Sequence, residues 1–292
     1  MINNNKHNKL TAKNSAKDKT ATAICSLPTS ARLPVNRCNL PAVILGSLNF
    51  QHHPRALKID GINETHKALF NALDTIQSQQ KRAEYFMNYM TVQFRMHRLD
   101  ELGVAQYESH KRTKADYLRM LRGWLFDADS REAAVLKSWV ESRFGLLTRY
   151  HKGQLADFSG NNYQRFLHER SQGLYATNAL EAQFDLVYSY CQYELSRTYP
   201  EEQLISLYRG INRVDSFEIL NRQNKYQATV LLNNLNSFTS NRERACEFGD
   251  TILEADIPWQ KILFYSNLLP GLFSGEEEFL VIGGVYNVKI SI

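Results

Sequence analysis

The residues best suited to chemistry stand near the C-terminal end, where Glu276-Glu277-Glu278 directly precedes the apolar run Phe279-Leu280-Val281-Ile282. That run has the composition of a strand. Alternate side chains of a strand share a face, so Glu276 and Glu278 point one way and Glu277 the other. Two carboxylates on one face at a strand mouth suit acid–base work or the stabilisation of a developing positive charge. Taken alone, the tripeptide also reads as a solvated strand edge whose charges discourage aggregation. Upstream, Leu207-Tyr208-Arg209-Gly210 ends an apolar run in an arginine, whose planar donor fork matches phosphate oxygens. Between these two segments, Ser237-Phe238-Thr239-Ser240 gathers three hydroxyls. Each segment has a plainer reading: a surface arginine at a strand end, a loop in which Ser240 caps a helix over 241–248, and solvated edge charge. The three together, in this order, are less readily explained that way.

The elements that must position these residues are legible as two textures. Asn39 to Gly46 reads as a short buried segment and His52-His53-Pro54 as a turn. Helical patterning follows over 63–77, 80–97, 113–126 and 130–146, with Asp129 or Ser130 capping the last. The clearest helix is 178–198, where Leu180, Phe184, Val187, Cys191 and Leu195 share one face, Asn178 can cap the start and Pro200 stops the chain. Beyond Pro200 come short runs rich in Val, Ile, Leu and Tyr: 204–209, 226–232, 251–257, 262–265, 278–282 and 286–292, with Gly283-Gly284 between the last two as a tight turn or a bulge. Helices first and strands later predict an α+β fold. The expected organisation is a basic, disordered leader over 1–36, a mainly helical region over 37–200 and a β-rich core over 201–292, the last two packed as one compact unit.

Charge narrows the function classes. The 292 residues carry a net +5, but residues 1–38 hold seven basic side chains against the single acid Asp18, so the remainder sums to −1. A nearly neutral body argues against nucleic-acid binding, which needs a basic stripe on the folded surface. No run approaches the ~20 apolar residues that span a bilayer. The four cysteines Cys25, Cys38, Cys191 and Cys246 are scattered without metal-ligand spacing, so no bound metal and reduced thiols in a cytoplasmic setting are expected.

Arginine, then a serine cluster, then Glu-x-Glu resembles the Arg-Ser-Glu class of mono-ADP-ribosyltransferases. From about residue 36 to the C-terminus the chain is similar to the dinitrogenase reductase ADP-ribosyltransferase family. Asn36 to Leu48 looks like the start of that family, as does Phe50-Gln51-His52-His53-Pro54, and Gly275 to Val281 fits its end. The resemblance implies a small two-sheet β core and an enzyme that uses NAD as substrate to modify one arginine of dinitrogenase reductase, inactivating nitrogen fixation. A PII-type nitrogen signalling protein is an implied further partner. Carried onto this chain, Glu278 would brace the ribose cation formed as nicotinamide departs, a state that glycosidases also face. Glu276 would orient and deprotonate the attacking arginine, and a Glu at that position accompanies arginine acceptors. Arg209 would grip the diphosphate, Ser240 would orient Glu278, and Gly210, Phe238 and Thr239 would belong to the same NAD site. One departure stands out: many relatives carry Ser-Thr-Ser after an aromatic and one further residue, so aligning on Phe238 gives Ser240-Asn241-Arg242, whereas aligning on Thr239-Ser240 pairs these with the last two positions. Either register keeps Ser240 near the pocket and leaves Ser237 outside the motif's first position. The alternatives are a transferase or NAD glycohydrolase with a different target, or a catalytically silent binding module of the same fold. The helices are expected to help dock the target, and Tyr188, Tyr190 and Tyr193 are candidates for NAD or partner contact or for the core.

Overall fold

The computed structural model describes residues 26–96, 116–175, 177, 179–200, 203–212, 217–273 and 277–291. Helices fill the first part: α1 (Ala42–Leu45), α2 (Leu48–His52), α3 (Ile62–Thr65), α4 (Lys67–Asp74), α5 (Gln79–Gln93), α6 (Tyr117–Phe126), α7 (Arg131–Phe144), α8 (Asn161–Leu174) and α9 (Leu180–Thr198). Strands β1 (Leu204–Ile211), β2 (Phe217–Asn224), β3 (Gln227–Thr239), β4 (Thr251–Pro258), β5 (Ile262–Tyr265) and β6 (Glu278–Ser291) follow, with the short α10 (Arg242–Cys246) between β3 and β4. The fold is α+β, as patterning predicts.

Helix α9 is the axis of the packing. All five stripe residues are buried, and so are Tyr188 beside them and Leu186, Tyr190 and Glu194 farther round the helix. Two bidentate ion pairs lock neighbouring helices to it: Arg82 of α5 to Glu194, with both bonds at 2.7 Å, and Arg143 of α7 to Asp185, at 2.7 and 2.9 Å. Buried pairs of this kind contribute little net stability, but they penalise any register that separates them. The proposed Asn178 cap lies outside the described residues. Tyr188 and Tyr190 belong to the core. Tyr188 donates to Gln260 O at 2.8 Å, and Tyr190 stacks on Phe86 with centroids 4.1 Å apart.

The strands form one six-stranded antiparallel sheet in the order β2-β3-β1-β4-β6-β5, with β3 also paired to β6. Two strands are longer than their sequences suggest. β3 continues past Leu232 through Asn233, Asn234 and Asn236, because these amides find partners indoors: Asn234 donates to Lys137 O at 2.8 Å and Asn233 to Tyr150 O at 2.9 Å. β6 runs straight through Gly283-Gly284. The irregularity expected there is a bulge on the facing strand, where the pairing passes from Leu232–Gly284 to Leu235–Ile282. Gly283 is required at this point: an added Cβ would lie 1.7 Å from Asn233 O. β2, a largely exposed edge strand, and α8, with Phe166 and Gly173 as its buried residues, carry too little apolar pattern to be read in advance. Within the segment expected as leader, residues 1–25 lie outside the described residues. Farther along it, Leu27 and Ala31 are buried, and Leu33 N donates to Gly145 O at 2.8 Å.

Beside Gly283 of β6 lies a buried ammonium. Lys261 donates to Gly283 O and sits over the rings of Tyr286 and Phe50, at 4.9 and 5.7 Å from their centroids. Burial pushes its pKa from 10.5 down to about 7. In the unfolded chain the amine keeps its proton to about pH 10. The unfolded state therefore binds more protons between pH 7 and 10, and the penalty this group places on folding is complete below pH 7 and fades above it. The stability of Lys261→Met relative to wild type is accordingly expected to fall steadily from pH 7 to 10 in paired thermal melts. A difference independent of pH would contradict this.

No helix among the described residues is long and apolar enough to cross a membrane.

Candidate active site

A cavity of about 510 Å³ opens where the ends of β1, β3 and β6 meet the loop joining α6 to α7. Its size falls within the range usual for small-molecule sites, about 300–1,000 Å³. The strand register builds it: Tyr208 of β1 pairs with Thr239 of β3, and Thr239 pairs with Glu278 of β6, so the three chemical segments of the sequence stand abreast on adjacent strands. Arg209, Gly210, Phe238, Thr239 and Glu278 all line the cavity.

Arg209 is half-buried, and its Nη1 donates to Ser237 O at 2.8 Å, which points the guanidinium along the cavity wall. Desolvation draws its pKa down against the opposing pull of Glu278 and Asp129. Glu278 is held by its backbone, which exchanges hydrogen bonds with the Ser266 hydroxyl: N donates to Oγ at 3.1 Å, and Oγ donates to the carbonyl at 3.3 Å. Its carboxylate Oε1 accepts from Trp124 Nε1 at 3.2 Å. Gly210 lets α10 close over β1, since an added Cβ would lie 1.9 Å from Ala245 O.

The serine segment falls differently from the expected roles. Ser240 is exposed at the end of β3 and does not line the cavity. The hydroxyl beside the carboxylate is that of Ser237, whose Oγ accepts from the same Trp124 Nε1 at 3.0 Å. Ser237 stands within β3, whereas Ser240 lies past the last residue of that strand. Nor does Ser240 cap the following helix. Asn241 does, its Oδ1 accepting from Glu243 N and Arg244 N at 2.9 and 3.3 Å. Glu276 lies outside the described residues.

Several lining residues carry no signal in the sequence. Trp124 arrives from the last turns of α6, Asp127 and Asp129 from the α6–α7 loop, Tyr150 from the segment after α7, and Arg244 and Phe248 from α10 and its exit. Ser130, one of the two expected caps of α7, fills that role, its hydroxyl accepting from Ala133 N at 3.1 Å. Asp129 instead accepts from the buried Lys137 at 3.0 Å. Burial raises the pKa of Asp129, but Lys137 and His151 outweigh it and hold the group ionised. Burial also lowers the pKa of Lys137, opposed chiefly by Asp129. The cavity thus offers a fixed carboxylate and a guanidinium within walls of Trp124, Tyr150, Tyr208 and Phe238, aromatic surface suited to flat rings. At its rim stand Phe126 and Phe248, 94% and 62% exposed. Such a site can take an anionic ligand bearing planar groups and brace a cation forming on it.

The family model for dinitrogenase reductase ADP-ribosyltransferase matches residues 35–290. The NAD(+)–dinitrogen-reductase ADP-D-ribosyltransferase of Rhodospirillum rubrum is 37% identical over 264 residues, spanning 88% of this chain and 94% of its own length. No solved structure matches. With a family match across nearly its whole length and a relative of this identity and coverage, the chain belongs to the dinitrogenase reductase ADP-ribosyltransferase family.

Proposed function

We propose that the cavity binds NAD and that the chain, an ADP-ribosyltransferase by family, transfers ADP-ribose to an arginine of dinitrogenase reductase. The observation that carries this reading is the joint presence of Glu278 and Arg209 in one aromatic-walled cavity, in a chain of this family. In the reaction, the bond between nicotinamide and the ribose breaks and nicotinamide leaves with the electron pair. Positive charge develops on the sugar, and Glu278, its carboxylate held by Trp124 and its backbone by Ser266, stabilises that charge. Arg209 supplies donors and charge for the diphosphate. A guanidinium nitrogen of the target then forms the new bond to the ribose and loses its proton. Because an arginine is protonated at physiological pH and a poor nucleophile, a nearby base is needed. The place of Glu276 two positions before Glu278 in the sequence is what supports it in that role.

The remaining readings follow from this one. The halves of β3 and β6 on either side of the bulge at Leu232–Leu235 correspond to the two sheets of a transferase core over 201–292. The helical region over 37–200 contributes to target docking, and the exposed Phe126 at the cavity rim supports this. A PII-type protein is a candidate regulator, and a cytoplasmic setting suits a nitrogenase component as substrate. The test is incubation with NAD and purified dinitrogenase reductase, followed by mass mapping of the modified residue. One arginine should carry ADP-ribose. Glu276→Gln should lose that transfer by roughly 10²-fold while still releasing nicotinamide from NAD. Unlabelled target would overturn the reading of the substrate, and wild-type transfer by Glu276→Gln the role of that residue.

A further inference from the structure

Trp124 closes the apolar face of α6. Tyr117, Leu118, Met120, Leu121 and Trp124 are all buried, and Trp124 is only 2% exposed. Its indole nonetheless reaches the cavity edge-on. The single N–H is shared between Glu278 Oε1 at 3.2 Å and Ser237 Oγ at 3.0 Å, on two neighbouring strands. The ring is held from several directions. At the start of α6, Tyr117 N donates to Gln183 of α9 at 3.0 Å. At its end, the Ser130 hydroxyl donates to Gly123 O at 3.2 Å. The Lys137 ammonium, 2% exposed, lies 5.7 Å from the indole centroid. That ammonium is itself fixed by Asp129 Oδ1 at 3.0 Å and Tyr150 O at 3.1 Å, with His151 Nδ1 at 3.3 Å. A packed aromatic with a cation near its ring and a shared donor at its edge is a rigid group.

Glu278 needs such a partner. It begins β6 at the cavity mouth, and its side chain has three rotatable bonds, whereas stabilising a developing cation requires the carboxylate in one place before the reaction starts. A donor on a separate, rigid helix fixes that place independently of the strand. We infer that Trp124 is the positioning residue for Glu278, acting through its indole N–H, with Lys137 and Asp129 bracing the ring. The inference rests on the proposed function, because it concerns the carboxylate assigned there to the ribose cation. It adds a determinant of the chemical step drawn from the helical part of the chain. No covalent role is assigned to Trp124: the indole keeps its proton throughout and touches neither the breaking nor the forming bond.

The test uses the full chain with NAD, reading nicotinamide release and transfer to the target. Trp124→Phe keeps a flat apolar ring and removes the donor. It is expected to lower kcat about 10- to 100-fold while the KM for NAD changes by less than about 3-fold. A residue with a merely structural role would move both constants or the melting temperature alone. Should Trp124→Phe fail to fold, benzothienylalanine at position 124, which replaces the indole N–H by sulfur at nearly constant shape, should show the same kcat loss. In a Glu278→Asp background, whose shorter carboxylate falls short of the indole, removing the donor should cost less than about 3-fold, the non-additivity expected of residues acting as one unit. If Glu278→Gln is inactive yet both donor-less variants turn over NAD at the wild-type kcat, or if the two losses simply multiply, the positioning inference fails while the functional reading stands. If Glu278→Gln itself retains wild-type turnover, the functional reading fails first.

Discussion

Glu278→Gln should leave a folded protein that neither releases nicotinamide from NAD nor labels an arginine, with a loss of about 10² to 10⁴-fold or more. The substitution is nearly isosteric, and the amide oxygen can still accept from Trp124 Nε1, which is the acceptor geometry seen at 3.2 Å. The backbone exchange with Ser266 does not involve the side chain at all. What disappears is the negative charge. A neutral amide cannot offset positive charge on a sugar ring in a half-buried site, where Coulomb interactions are stronger than in water. Arg209 also loses one of the two acids that oppose its desolvation, so some weakening of NAD binding should accompany the loss in kcat. The measurements are single-turnover nicotinamide release, a circular dichroism spectrum and a melting curve. Wild-type release by a folded Glu278→Gln protein would remove the carboxylate from the mechanism.

Gly283→Ala should be the most damaging single methyl group in the sheet. The added carbon would sit 1.7 Å from Asn233 O and 2.6 Å from Asn233 C, and both are backbone atoms. No side-chain rotation relieves that clash, so β3 and β6 must separate at the point where their pairing changes phase. Overpacking a core usually costs 1–3 kcal/mol, and a backbone clash belongs at or beyond the upper end, at least about 3 kcal/mol. Because the same two strands carry Thr239 and Glu278 at their far ends, the surviving folded fraction should also turn over NAD poorly. Denaturant unfolding and soluble yield test the first expectation, and kcat per folded molecule tests the second. A variant that melts within a few degrees of wild type would show that the sheet tolerates the insertion.

Much of the architecture was legible because it follows from periodicity. The stripe Leu180, Phe184, Val187, Cys191 and Leu195 predicts a helix with a buried face, and every member of it is buried. The 262–265 run is a strand with those bounds. Where local reading stopped short, the missing information was a partner distant in sequence. β3 extends through polar Asn233, Asn234 and Asn236 because carbonyls of Lys137, Leu146 and Tyr150 accept from the first two amides, and only folding brings those carbonyls there. Gly283-Gly284 resembles a turn in one dimension. In three, it is where a straight strand passes a bulge on its neighbour.

The site divides along the same line. Residue types and chain order select Arg209, the hydroxyl cluster and the Glu-x-Glu segment, because a phosphate grip and a cation brace need those functional groups whatever the fold. Which hydroxyl shares the carboxylate's donor was settled by folding: Ser237 stands within β3 against Trp124 Nε1, while Ser240 lies exposed past the end of that strand. Trp124 lies 154 residues from Glu278, on a helix whose pattern announces only burial, and no local signal could connect them. Chemistry is written in the kinds of side chain, and these the chain states on its own. Distance and facing are properties of strand register and helix docking, which arise from the summed packing of the whole molecule and exist only once it has folded.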